Sequence, residues 1–226
     1  YGEDNNYFQY LIERYNGSPT NNAAINGIAD MIYGKGLDAV EGEDSKGYDE
    51  MKGLFSKKCL KSVCYDYKMM GNAAFQIIYS KDRKSIARVE HIPVQTLRAE
   101  RASKSGQIEA YYYHKDWANK KTSENPLRIP AFGFSKKDIE IVYIKPYKAG
   151  YFYYSPVDYQ GGLQYAEMEE EIANYHISNI QNGLAPSMLI NFNNGVPTEE
   201  ERTLLEQKIY DKFSGSSNAG RFILAF

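Results

Sequence analysis

The chain has 226 residues, of which 42% are hydrophobic and 25% are charged, a composition typical of a folded protein with a core in one large domain or two small ones. Lysine and arginine number 27 and aspartate and glutamate 29, which leaves a formal net charge of −2. This balance argues against avid DNA binding, because such binding rests on many basic contacts to phosphate. No run of about 18 apolar residues occurs, so no transmembrane helix is predicted.

Tyrosine is unusually frequent in the sequence. The 21 tyrosines, ten phenylalanines and one tryptophan make up 14% of the chain. Because a tyrosine ring offers a large apolar surface with a polar tip, this excess favours β-sheet, subunit contacts or both.

Neither end of the sequence has the features of a natural terminus. Residues 1–4 are polar and acidic and do not begin with methionine, and residues 221–226 are typical of a strand that stops before any turn. We therefore expect an internal fragment of a longer protein.

Helices are predicted in the N-terminal third of the chain. Apolar residues recur there at the spacing of one helix face. The predicted helices cover residues 5–15, 20–33 and 48–70. Gly17 and Pro19 end the first, and Gly34 ends the second. Gly53 and the charged stretch 56–58 mark a candidate break inside the third.

An antiparallel sheet is predicted in the middle of the chain, where the apolar period changes to that of strands. The predicted strands cover residues 73–79, 86–92, 96–101, 108–114 and 139–144. Polar turns at 81–84 and 103–106 join the first four strands into two hairpins.

A long helix is predicted from Ser155 to about Gln181. Ser155 can cap it, Pro156 suits its first turn, and Asp158 would meet the positive end of the helix dipole. A helix of this length spans roughly 39 Å, which is long for a small domain. Glycines 161–162 lie in its second turn, where each costs about 1 kcal/mol relative to alanine.

The remaining segment is predicted to form a strand, a helix and a strand. Residues 182–183, Asn-Gly, supply a left-handed stop for the long helix, and residues 187–192 form the first strand. Residues 198–201 form the capping box of a helix that Gly215 ends. Residues 221–226 form the final strand.

Motifs for catalysis, metals or cofactors are weak. Residues 215–221 have the glycine spacing of a phosphate-binding P-loop, but Arg221 replaces its lysine, Phe222 replaces its Ser/Thr, and the loop runs from helix to strand. Three histidines are scattered without neighbouring metal ligands or nucleophiles: His91, His114 and His176. The sequence therefore predicts no cofactor, no metal site and no enzyme activity.

Glutamates form two clusters in the sequence. The cluster at residues 199–201 lies at the start of a predicted helix, where the positive end of the helix dipole favours negative side chains. Residues 167 and 169–171 lie in mid-helix, where they form either a solvated face or a functional acidic surface. An acid/base pair is a poor fit, because neighbouring glutamates on an exposed helix stay hydrated.

The order of features from Tyr153 onward resembles the core of the tailed-phage portal proteins. Residues 153–156, Tyr-Tyr-Ser-Pro, resemble the Tyr-Gly-x-Ser-Pro-like step before a long helix in that family, with Tyr154 closest to the family's glycine. Residues 182–186 resemble its Asn-Gly-x-x-Pro step, which precedes an apolar strand and a Glu-rich capped helix. Residues 215–221 resemble its Gly-x-x-Asn-Ala-Gly-Arg loop. The resemblance covers about three quarters of the chain.

The resemblance implies an α+β, portal-like fold. Residues 1–155 would be a wing-like region of helices and antiparallel sheet, residues 156–182 a long stem helix, and residues 183–226 a truncated clip of strand, helix and strand. Portal proteins form rings, usually of twelve subunits, at one capsid vertex of the virion. DNA is packaged and later ejected through the central channel.

The resemblance also implies partners and surfaces. The partners are other copies of the chain, the terminase large subunit, a head-completion or tail adaptor and the capsid protein, and assembly takes place in the host cytoplasm. Double-stranded DNA passes through without tight binding, and no membrane is involved. The candidates for facing the channel are Glu167, Glu170, Glu171 and Asn174. The candidates for docking at the clip are Glu199, Glu200, Arg202 and Glu206.

Two other interpretations stay open at this point. A tyrosine-rich sheet that presents a carbohydrate- or peptide-binding site would explain the aromatic content, but not the long capped helix. A hydrolase with residues assembled from distant segments is the second interpretation. It has no recognisable nucleophile–base context in the sequence.

Overall fold

The computed structural model of the protein describes residues 1–38, 45–121, 123–135, 138–182, 188–191, 198–213 and 222–225. The chain divides into two compact units, Tyr1–Ala166 (unit 1) and Glu167–Phe226 (unit 2). The division falls inside the helix Leu163–Asn182. The described residues form an α+β fold.

The first part of unit 1 is helical. Its α-helices are α1 (Tyr7–Gly17), α2 (Pro19–Tyr33), α3 (Ser45–Leu54) and α4 (Lys57–Met70). Ser18 caps α2, because its Oγ accepts a hydrogen bond from the backbone N–H of Asn21 at 3.1 Å, and Pro19 occupies the first turn. Ser56 caps α4 in the same way through the N–H of Cys59 at 3.1 Å. The break predicted inside the third helix is therefore confirmed.

The second part of unit 1 forms two antiparallel sheets. The strands are β1 (Ala73–Tyr79), β2 (Ile86–His91), β3 (Leu97–Ala99), β4 (Ala110–Tyr113), β5 (Leu127–Pro130) and β6 (Ile139–Ile144). One sheet has the order β2-β1-β6 and the other β3-β4-β5. The five predicted strands are confirmed. β5 was not predicted, because it is four residues long and ends in a proline, which disfavours strand.

The core of unit 1 contains two apolar clusters. The first lies among the helices and includes Phe8, Leu11, Ile25, Met69 and Met70. The second lies at the sheets and includes Ala74, Leu97, Tyr111, Ile129 and Ile141. Tyr143 packs against both clusters and stacks on Tyr111 with 4.9 Å between the ring centroids. These two tyrosines therefore build the interior of unit 1 instead of an open aromatic platform.

The long helix, α5 (Leu163–Asn182), begins later than the sequence predicted. Ser155 does not cap it, because its Oγ donates to the carbonyl of Pro146 and its backbone pairs with Asn72. A 3-10 turn at Gln160–Gly162 leads into the helix. The two glycines therefore precede the α-helix and do not carry the predicted cost. The 20 residues of α5 span roughly 30 Å.

Unit 2 contains most of α5 and a parallel pair of strands. β7 (Met188–Asn191) pairs with β8 (Phe222–Ala225), and α6 (Glu199–Phe213) lies between them in sequence. The capping box is confirmed, since the Thr198 N–H donates to Glu201 Oε2 at 3.0 Å and the Glu201 N–H to Thr198 Oγ1 at 3.4 Å. The order strand, helix, strand is also confirmed. The stop at Gly183 and the P-loop-like segment 215–221 fall outside the described residues.

Candidate functional site

The acidic side chains of α5 share one face of the helix. At 100° per residue, Glu167, Glu170, Glu171 and Asn174 fall within an arc of roughly 100°. Glu167, Glu171 and Asn174 are exposed, and Glu170 is half-buried. The structure therefore brings the four channel-facing candidates together on one surface, while their role stays a prediction.

A different face of α5 is apolar and exposed. Tyr165, Met168, Ile172 and Tyr175 follow each other at spacings of three and four residues, and their exposed fractions are 70%, 50%, 49% and 62%. They fall within an arc of roughly 80°. This spacing is typical of a seam between packed helices, in which such side chains interdigitate with those of a partner. α5 is thus an amphipathic helix with an exposed apolar seam.

The chemistry of the acidic face is electrostatic. Because Glu167 and Glu171 are exposed, their carboxylates are solvated, and an enclosed apolar site that would adapt them to acid/base catalysis is not formed on this helix. Fixed negative charges along a helix repel phosphate at short range. The arrangement therefore presents negative charge along one face of α5.

The docking candidates lie at the beginning and in the middle of α6. Glu199 and Glu200 are exposed in its first turn, where the helix dipole favours negative charge, and Arg202 is half-buried. Hydrogen bonds from Thr198 lower the pKa of the neighbouring Glu201 carboxyl. Glu206 lies further along the same helix. The docking role of these residues stays a prediction.

A buried contact holds the backbone that leads into α5, and the sequence did not predict it. Asn72 and Ser155 are both 0% exposed. The Asn72 Oδ1 accepts from the Ser155 N–H at 3.0 Å, and its Nδ2 donates to the Ser155 carbonyl at 2.8 Å. Gly71 has a φ of +67° and lies so close to Pro156 that an added Cβ would be 2.9 Å from the Pro156 carbonyl oxygen. We call Gly71, Asn72 and Ser155 the Ser155 anchor.

Two further contacts extend this anchor. The Lys68 Nζ donates to both carboxylate oxygens of Asp158, at 2.8 and 2.7 Å. The Tyr159 hydroxyl donates to the Met69 carbonyl at 2.6 Å, and burial raises the pKa of this phenol. The predicted role of Asp158 at a helix start is therefore wrong, because this carboxylate pairs with a buried lysine instead.

The histidines do not form a metal centre. The Nε2 of His91 lies 2.8 Å from Asp66 Oδ2, and the Nε2 of His114 lies 3.2 Å from Glu124 Oε2. His176 is exposed. In the part of the chain that the structure describes, no group of three or more His, Cys, Asp or Glu residues is arranged to hold a metal ion. The described helices include none that is long and apolar enough to cross a bilayer.

Comparisons with known proteins identify similar structures but no similar sequences. No protein-family model matches the chain, and no curated protein matches its sequence. A chain in the neck of an empty gene transfer agent particle, computed with C6 symmetry, is 14% identical with a TM-score of 0.63, and the match covers 93% of this chain and 57% of that one.

Two further structures of gene transfer agent particles give the same result. A chain in the virion of the native particle is 14% identical with a TM-score of 0.63, over 95% of this chain and 57% of that chain. A chain in the neck of the native particle, computed with C12 symmetry, is 14% identical with a TM-score of 0.61, over 93% and 56%. The protein thus spans a little more than half the length of these chains, and it shares the fold of a chain found in the neck of gene transfer agent particles.

Proposed function

We propose that this chain is part of a portal subunit, a structural protein that forms a ring at one vertex of a phage or phage-like capsid. The observation that carries the proposal is the shared fold, which extends over 93% to 95% of the chain and relates it to chains from the neck and virion of a phage-like particle. The role is structural and not enzymatic. DNA would pass through the ring during packaging and ejection.

The two faces of α5 support this proposal. In a ring, the apolar seam of Tyr165, Met168, Ile172 and Tyr175 would pack against the neighbouring copy, which would cover an apolar surface that is exposed in the single chain. The acidic face would then border the channel. Repetition of the same helix around an axis multiplies its charge, so the wall would repel phosphate and let DNA slide. The near-neutral composition of the chain agrees with DNA that is not held tightly.

The remaining surfaces would meet other virion proteins. The exposed start of α6, with Glu199 and Glu200, is the proposed docking point for the terminase large subunit during packaging and for a tail adaptor afterwards. Residues 1–155 would form the wing, next to the capsid protein, and the ring would carry twelve subunits. No cofactor is needed for any of these roles.

We expect Ile172→Glu to prevent ring formation. The substitution places a charge in the middle of the apolar seam, where packing against a neighbour would have to bury it, and burying an unpaired charge is costly. Negative-stain electron microscopy of the full-length protein should show rings with a central hole for the wild type and dispersed subunits for the variant. Circular dichroism checks that the variant subunit is folded.

Ile32→Glu is the matched control for this experiment. Ile32 is 46% exposed on α2 and Ile172 is 49% exposed on α5. The two substitutions therefore introduce the same charge at equally exposed positions, but only Ile172→Glu places it in the apolar seam. Rings should persist in the control. Rings that form equally well with Ile172→Glu would exclude the seam as the subunit contact, and a wild-type protein that never forms rings would overturn the proposed function.

We expect replacement of Glu167, Glu170 and Glu171 by lysine to slow DNA packaging by roughly twofold or more, because a wall that attracts phosphate would retain the DNA. The effect should be larger at low ionic strength, where charges are screened less. Packaging velocity in a single-molecule or bulk assay measures it. The control replaces three exposed acids of unit 1 by lysine, Asp30, Asp49 and Glu50, which changes the net charge by the same amount. Unchanged velocity with the α5 variant would exclude the acidic face as the channel wall.

A further inference from the structure

A cleft in unit 1 lies outside the surfaces discussed above. Its volume is about 770 Å³, within the usual range of sites that bind a ligand or a short peptide. It lies between α1, the segment that precedes β3, and the loop of residues 115–119. The residues that matter for its chemistry are Phe8, Gln95, Arg98, Lys115 and Trp117. We call it the Arg98 cleft.

Arg98 is a buried cation in the wall of this cleft. Arg98 is 7% exposed, and its guanidinium carbon lies 5.3 Å from the ring centroid of Phe8 and 5.1 Å from that of Trp117. Its acceptors are neutral: Asn5 Oδ1 at 3.1 Å from Nε, and backbone carbonyls at 2.8 to 2.9 Å from Nη1 and Nη2. None of the described carboxylates forms an ion pair with it. One N–H of Nη2 remains for a further acceptor, since Nη2 carries two hydrogens.

A buried guanidinium without an anion is unfavourable. Burial lowers the pKa of Arg98, but a guanidinium does not lose its proton in a protein, so the charge stays. The neutral acceptors solvate this charge without cancelling it. An anionic oxygen that accepts from the remaining N–H of Nη2 would compensate the positive charge of Arg98. Lys115 is exposed on the same cleft and would supply a second positive charge.

The aromatic rings of the cleft bear on which anion fits. A ligand that compensates Arg98 carries an anionic oxygen. An aspartate or glutamate in a polypeptide supplies it as a carboxylate, and the apolar stem behind that carboxylate would contact the rings of Phe8 and Trp117.

The other charges of the cleft disfavour a polyanion. Glu13 and Asp116 line it as well, so a ligand with several phosphates would meet two carboxylates at close range. A single carboxylate beside an apolar stem would instead contact Arg98 and the rings of Phe8 and Trp117. Glu13 and Asp116 thus disfavour a polyanion, whereas Arg98 and Lys115 leave a place for a single carboxylate beside them.

We infer that the Arg98 cleft binds an acidic segment of a partner polypeptide. The carboxylate of one aspartate or glutamate pairs with Arg98 and Lys115. This site is independent of the apolar seam on α5 and does not require ring formation.

Trp117 makes the inference directly testable, because it is the only tryptophan among the 226 residues. We expect the capped peptide acetyl-Gly-Glu-Gly-amide to change the Trp117 fluorescence saturably, whereas its Gln counterpart does not. Lys115→Glu should weaken the binding about fivefold or more, because it replaces an attraction worth up to about 1 kcal/mol at an exposed site by a repulsion. Lys104→Glu, an exposed lysine that does not line the cleft, is the matched control and should bind like the wild type.

Lys115→Glu keeps the test decisive even if substitution of Arg98 impairs folding, because Lys115 is exposed. Equal responses to the acidic and the amide peptide would overturn the inference. So would a response to inorganic phosphate as strong as that to the peptide, since it would make the cleft a general anion site. No saturable response up to about 10 mM peptide, which corresponds to binding weaker than that of most specific sites, would overturn it as well.

Discussion

Asn72→Ala is expected to lower the free energy of unfolding of unit 1 by about 3 kcal/mol, because a buried hydrogen-bonding group whose partner is removed costs about 1 to 3 kcal/mol. The substitution removes three hydrogen bonds, two to the backbone of Ser155 and one to the Met70 carbonyl at 2.9 Å. It leaves the Ser155 N–H buried without an acceptor. Urea denaturation followed by circular dichroism measures the change.

Asn16→Ala is the control for this prediction. Asn16 is exposed on α1, and alanine at such a position is expected to change stability by no more than about 0.5 kcal/mol. A loss of stability in Asn72→Ala no larger than that of Asn16→Ala would contradict the role of the Ser155 anchor. An altered dependence of unfolding on denaturant would show that the compactness of the native or the denatured state has changed, or that unfolding is no longer two-state.

Gly71→Ala is expected to cost about 3 kcal/mol as well, through two separate effects. A φ of +67° is unfavourable for a residue with a Cβ by about 1 to 2 kcal/mol. In addition, the new Cβ would lie 2.9 Å from the carbonyl oxygen of Pro156 and 3.0 Å from the nitrogen of Val157. Both are backbone atoms, which cannot move aside like the end of a flexible side chain, so packing adds a further cost of about 1 to 3 kcal/mol.

Gly106→Ala separates these two effects. Gly106 has a similar φ of +79°, but an added Cβ there would meet nothing within 4 Å. We expect it to cost about 1 kcal/mol from backbone strain alone. The difference between the two variants, measured by thermal or urea unfolding, isolates the close approach of Gly71 to Pro156. Equal losses of stability would show that this approach contributes nothing.

The elements that depend on nearby residues could be predicted from the sequence. Gly17 and Ser18 divide α1 from α2, and Ser56 begins α4, because the capping residues and the groups they satisfy lie within three positions of each other. The capping box at Thr198 is equally local. The common face of Glu167, Glu170 and Glu171 follows from their spacing in any helix.

The features that depend on distant residues could not be predicted. Ser155 followed by proline has the local pattern of a helix start, but hydrogen bonds with Asn72, 83 positions away, fix its backbone in another conformation. Tertiary contacts thus outweigh the local preference. The Arg98 cleft was also missed, since only the fold brings Phe8 and Trp117 to the two sides of Arg98.

Glu140 is a buried charge whose environment also could not be predicted from the sequence. In sequence it is one acidic residue in an apolar strand. In the structure it is fully buried and accepts hydrogen bonds from the Tyr79 hydroxyl and from the backbone N–H groups of Gly133 and Ser135. These three hydrogen bonds offset the cost of removing the Glu140 carboxylate from water. None of the three donors could be assigned to Glu140 from sequence spacing alone.

The Ser155 anchor has a consequence for biosynthesis. Its contacts join residues 83 positions apart, and the Lys68–Asp158 pair joins residues 90 positions apart, so they close long loops and form late in folding. The helices and the first hairpin can therefore form on the ribosome while unit 1 is still incomplete. Val157 and Leu163, which complete the helical core cluster, emerge only afterwards. Until then the nascent chain presents an uncovered apolar surface to chaperones.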